Sequence, residues 1–118
     1  MTASTEWDAA LDAMVAAPEH HTLLLENDQL RVVVTHVPPG ERTAVHTHQW
    51  GGVLYVLSWS QFVRRDGKGN VLVDSRLNPA LQTPAQAMIA APLPPHTFEN
   101  VGDQEFRVVT VELKNSPS

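Results

Sequence analysis

Two histidines one residue apart, His46 and His48, are the residues of this chain best placed to do chemistry. They stand in GERTAVHTHQWGGVLYV, between a Pro38-Pro39-Gly40 turn and an apolar run. In an extended chain the side-chain period is two, so both imidazoles project from one face and can close on a single ion. His96 lies far downstream, between a proline-rich turn and Asn100. Three neutral nitrogen donors on two distant segments suit a divalent transition metal that keeps open coordination positions. The chain has no cysteine, which excludes thiolate sites and a cysteine nucleophile and leaves histidine and carboxylate as ligands. The predicted metal set is therefore His46, His48 and His96, holding one ion of Fe, Zn, Mn or Ni.

Three weaker candidates for catalytic work accompany that set. Glu112 shares strand parity with Phe106, Val108 and Thr110, so an inward face would let it act as a base or accept a histidine N–H. Glu99 follows His96 closely, and Gln49 adjoins His48, within reach of a metal or bound substrate. Asn100 is expected to complete loop hydrogen bonds near His96, since an amide both donates and accepts. His36 reads as an ordinary strand histidine. His20 and His21, beside Pro18 at a strand start, are expected to face solvent, as are the charges of Arg31 and Arg107. Trp50, Tyr55 and Trp59 read as packing residues.

The elements that must position these residues are one helix and then strands. Thr5 with Asp8 resembles a capping box, and Trp7, Leu11, Met14 and Val15 recur at helical spacing until Pro18, which predicts an amphipathic helix over residues 6–16. From His20 the pattern turns to β: HTLLLE, a polar Asn27-Asp28-Gln29 turn, and LRVVVTHV. VLYVLSW, QFVRR and NVLVDS follow, the last two joined by a turn over residues 66–70. Residues 77–95 read as a proline-rich loop with a short strand at 87–91, and FRVVTVELK closes the pattern. Short, closely spaced strands predict a sandwich or barrel. The expected division is a helical extension over residues 1–19 and a barrel over 20–118.

Composition narrows the function classes. At 118 residues there is room for one core. Lys and Arg number 8 against 13 Asp and Glu, a net charge of −5, which argues against a nucleic-acid partner. The first segment has acidic residues and no basic cluster, so it does not read as a secretory signal, and no apolar run is long enough to cross a bilayer. A cytoplasmic location without membrane contact is expected. The amphipathic helix and the strand edges predict a homodimer.

These residues resemble the cupin superfamily, whose barrels bind a metal through two short motifs. Gly40, His46 and His48 fit the first motif, and His96 with Asn100 fits the end of the second. The resemblance spans about Arg31 to Lys114 and implies a single-domain all-β jelly-roll barrel, the double-stranded β-helix, with a short N-terminal helix. The motif's glutamate falls on Gly52 and its closing glycine on Trp59, so the usual fourth ligand is missing. LENDQLRVVV and VELK are also similar to small bacterial cupins, including some named for beta-alanine degradation.

Three neutral imidazoles leave the divalent charge uncompensated, which favours an anionic or chelating small-molecule substrate. The resemblance to three-histidine Fe(II) cupins implies, most concretely, a dioxygenase-like oxidoreductase. Two alternatives stay open: a zinc or manganese lyase, isomerase or hydrolase using metal-bound water, and a non-catalytic metal or small-molecule binding module.

Overall fold

The computed structural model describes residues 7–114. Its nine strands are β1 (His21–Glu26), β2 (Leu30–Val37), β3 (His46–His48), β4 (Gly52–Ser58), β5 (Phe62–Asp66), β6 (Val71–Asp74), β7 (Ala87–Ala90), β8 (Leu93–Asn100) and β9 (Phe106–Leu113). They form two antiparallel sheets, β1-β2-β9-β4-β7 and β3-β8-β5-β6, facing each other as a jelly-roll. No helix among the described residues is long and apolar enough to cross a membrane.

Turn chemistry sets the strand ends. The Asn27 side chain accepts from the backbone N–H of Gln29 and Leu30, which folds β1 back onto β2. Gly40 after the two prolines and Gly69 in the β5–β6 hairpin both adopt positive φ, 83° and 92°, where a side chain would be strained. Asp66 accepts from the Lys68 and Asn70 N–H groups to close that hairpin. The core is a cluster of Val37, Phe62, Phe106 and Val108, with Leu54, Trp59 and Phe98 packed against it.

β8 runs through Pro94 and Pro95, which the sequence places in a loop. The register explains it: His46 faces His96 but His48 faces Leu93, so β8 carries one extra residue where the prolines sit. Proline lacks the N–H a regular ladder needs, and a bulge is where that lack is tolerated.

The N-terminal segment also departs from expectation. Instead of one helix over residues 6–16 there is a 3₁₀ turn at Ala9–Leu11 and a single α turn, α1, at Ala13–Ala16. Thr5 and Glu6 lie outside the described residues. Asp12 makes the break: it caps α1 by accepting from the Met14 N–H, bridges to Thr47, and receives two hydrogen bonds from Arg31. The face that packs is Ala13 and Ala17, both fully buried, while Trp7, Leu11 and Met14 are only half-buried and Val15 is exposed. The segment covers its own barrel, with the Thr47 hydroxyl donating to Leu11 O.

Candidate metal centre

Three strands supply the imidazoles: His21 from β1, His46 and His48 from β3, and His96 from β8, whose ring lies beside those of His46 and His48. His46 is 1% exposed, and its Nδ1–H donates to Ala44 O at 2.8 Å. That leaves Nε2 as the lone-pair nitrogen, 3.2 Å from Nε2 of His48. Two nitrogens bound to one tetrahedral ion at about 2.0–2.1 Å would stand at nearly this separation. The bulge in β8 re-aims His96, whose Nδ1–H donates to Pro94 O at 2.8 Å and whose ring centroid lies 4.4 Å from that of His46.

His21 is a correction to the sequence reading, which sent it to solvent. It is buried, its Nδ1–H donates to Ala17 O at 2.9 Å, and its Nε2 is buried without a partner. Its ring centroid lies 4.7 Å from His46 and 5.3 Å from His48. Ligand nitrogens of His21, His46 and His48 all fall within 4.8 Å of one another. The cause is register: His21 pairs with Thr35, which also lines the interior. No motif marks it, but an even phase with the inward residues of β2 through that pairing would have found it.

Behind the rings runs a charged relay that joins Glu112, which strand parity points inward, to Arg31 and Asp12. Arg31 is buried rather than a surface charge. Its Nε donates to Glu112 Oε1 at 2.9 Å, and its Nη1 and Nη2 donate to the two carboxylate oxygens of Asp12 at 3.0 and 2.9 Å. Glu112 is 1% exposed, and its Oε2 lies 3.4 Å from Nδ1 of His48. A carboxylate behind a histidine fixes the ring and raises its basicity as a ligand. Two carboxylates and one guanidinium leave a net negative charge beside the cluster, complementary to a cation.

Burial keeps the rings of His21, His46 and His96 neutral. The pKa of His21 falls to about 3, through desolvation first and then the charges of His46 and His48. Desolvation, followed by the charge of His48, lowers His46 to about 4. His96 falls to about 3, through desolvation and then the charge of His46. Neutral imidazole is the metal-binding form, so these three rings are ready for an ion at neutral pH. The centre opens onto a cavity of about 340 Å³, walled by Trp50, Leu54, Trp59, Phe62, Phe98 and Phe106 among others.

Other sequence candidates lie elsewhere. Glu99 turns away from His96 and pairs with Arg65. Gln49 is half-buried and does not line the cavity. His36 sits on the outer surface, bonded to Glu105. Asn100 does complete loop hydrogen bonds, donating to Val37 O and Gln104 O and accepting from Ser60 and Gly102, at the far end of β8 from His96. Arg107 is exposed, as expected.

No family model matches the sequence, and no curated protein does. Among solved structures, a cupin domain protein from Bordetella pertussis Tohama I superposes with a TM-score of 0.59 at 22% identity, over 80% of this chain and 91% of that one. The fold is that of the cupin superfamily. A Klebsiella pneumoniae protein with a double-stranded β-helix domain superposes at 0.52 with 27% identity, over 82% of this chain and 74% of that one.

Within the cupin barrel, Gly52 explains the missing glutamate. A Cβ there would lie 1.8 Å from Val111 O, a backbone atom held by the β4–β9 pairing. No side chain fits at that position without parting the strands. Trp59, where the motif closes on glycine, packs its ring 5.0 Å from Phe106 and donates Nε1–H to Leu81 O.

Proposed function

We propose that this cupin is a metal-dependent enzyme whose single divalent transition ion is held by His46, His48, His96 and His21. The observation that carries the reading is the cluster of ligand nitrogens of His21, His46 and His48, with the His96 ring beside His46 and His48. Each has its Nδ1 engaged by a backbone carbonyl or by Glu112, which leaves Nε2 free for the shared interior. His21 fills the role the motif assigns to glutamate, from a different strand. Four imidazoles would suit an ion such as Fe, Zn or Ni and would leave room beside it for a chelating substrate.

The chain's own residues then do three things. The aromatic wall binds an apolar substrate body and excludes water. The histidines and Glu112 hold the centre rigid, with Glu112 able to take up a proton from His48 Nδ1. The bound ion would supply Lewis-acid or oxygen-dependent redox chemistry. On iron, the reading is oxygen-dependent cleavage of a small chelating, anionic metabolite. The second reading, a redox-neutral zinc or manganese lyase, isomerase or hydrolase, is favoured by Glu112, a buried carboxylate positioned for proton transfer.

Elemental analysis of protein purified without added metal, with oxygen uptake measured by electrode on candidate chelating acids, separates them. Iron with substrate-dependent uptake supports the first reading. Zinc without uptake supports the second, and less than a tenth of an ion per chain contradicts both.

A further inference from the structure

Among the described residues two arginines reach the interior of this barrel, Arg31 with carboxylate partners and Arg64 without. Arg31 is held by Asp12 and Glu112. Arg64 lines the cavity from β5, on the same inward face as Phe62, with Val73 and Phe98 as its cross-strand neighbours. Its Nε is buried with no hydrogen-bond partner, and among the described residues no carboxylate pairs with it. The neighbouring Arg65, by contrast, faces out and pairs with Glu99. Burial alone acts on the Arg64 guanidinium, pulling its pKa below the usual arginine range with no acid to oppose it.

A cation left unpaired in an apolar wall is destabilising unless something completes it. Packing has little use for the charge: a methionine would fill the same space between Phe98 and Val73 without the desolvation penalty. Arg64 also stands one diagonal step from His96, because it faces Phe98 across the β5–β8 ladder. Diagonal neighbours of this kind lie roughly 7–8 Å apart. A guanidinium on such a neighbouring residue can hold the anionic end of a molecule whose other end reaches the histidines.

We propose that Arg64 is the anion-recognition residue of the cavity, and that the ligand class is an aromatic or similarly apolar carboxylate. The carboxylate takes a two-pronged hydrogen bond from the guanidinium, and the ring lies against Trp59, Phe62 and Phe98. This deepens the proposed function and shares its site. It rests on that reading for the second anchor at the metal but not for the carboxylate.

The test uses 2-naphthoate and its neutral analogue 2-naphthamide as probes, titrated calorimetrically into the full chain as purified. Wild type is expected to prefer the acid by at least about tenfold, and Arg64→Gln to lose that preference with metal content unchanged. Arg64→Lys should keep part of it. Arg64→Met should raise Tm while abolishing the preference, because it removes an uncompensated charge; a lowered Tm would mark the arginine as structural and overturn the proposal.

The His46→Ala, His48→Ala double variant separates this idea from the metal reading. If the preference survives there and disappears in Arg64→Gln, Arg64 holds the carboxylate whatever the metal does. If the preference survives in Arg64→Gln and disappears in the double variant, the ion holds the carboxylate, and the Arg64 proposal falls while the metal reading stands.

Discussion

The two ends of the cavity are built by the same strands on opposite principles. On β8, Phe98 follows His96 by two residues on one face; on β9, Phe106 and Val108 share theirs with Glu112. At the aromatic end the rings pack on one another, and among the described residues Arg64 is the one group left without a partner. Phe98 packs 4.4 Å from Phe106 and 4.8 Å from Phe62, and the Asn100 amide is fully hydrogen-bonded. At the histidine end, desolvated rings crowd together, one buried nitrogen lacks a partner and the relay behind them is net negative. Stability is concentrated at one end, and the other offers a histidine cluster compatible with a cation.

Breaking the aromatic end should therefore have the largest effect on folding. Phe106→Ala is expected to lose about 3–5 kcal/mol, read as a fall in the urea midpoint. A loss below about 1 kcal/mol would show that the two ends share the load.

Altering the histidine end should move metal affinity more than folding. Glu112→Gln keeps a hydrogen-bond acceptor for Arg31 but removes the charge behind His48. Loss of such a partner typically weakens a metal site by about 10–100-fold, which competition against a chromophoric chelator would measure. An unchanged affinity would detach Glu112 from the centre.

Acid should separate the ends as well. His21, His46 and His96 have folded-state pKa values of about 3, 4 and 3, below the ordinary 6.5. Between pH 6.5 and about 4 the unfolded chain takes up protons that the folded chain refuses. Stability is therefore fully present above pH 6.5 and is lost as pH falls, by up to about 1.4 kcal/mol per group for each unit of pH. Metal-free protein should melt at a lower temperature at pH 5 than at pH 7, whereas equal or higher melting at pH 5 would contradict the burial of neutral rings.

The smallest effect on the cavity is expected from the opposite side of the larger sheet. There Leu25, Val32, Val111, Val53 and Ile89 form one row across five strands, and Leu25, Val53 and Ile89 are exposed. We expect a homodimer through this face. Light scattering should give about twice the 13.0 kDa chain mass, and Val53→Glu should halve it without changing metal content. A wild-type monomer at every concentration would remove the dimer.

Much of this was legible in the sequence, for reasons that particular residues make plain. His46 and His48 are marked by their spacing, and Glu112 by the parity it shares with Phe106 and Val108. Arg31 carried the same signal, standing in phase with the buried Val33 and Val37, yet a lone charge at a strand start reads as solvated until its partner across the ladder is known. His21 is invisible for a similar reason: only the β1–β2 register turns it inward. Periodicity predicts too long an N-terminal helix because it does not register that Asp12 is drawn out of it by Arg31, from a distant strand.

X-ray absorption on the metal retained by the purified chain tests the central claim most directly. The account predicts one ion per chain with four imidazole nitrogens at roughly 2.0–2.2 Å, falling to three in His21→Ala and to no bound metal in the His46→Ala, His48→Ala double variant. Full occupancy in that double variant, or a first shell without imidazole scattering in the wild type, would contradict it.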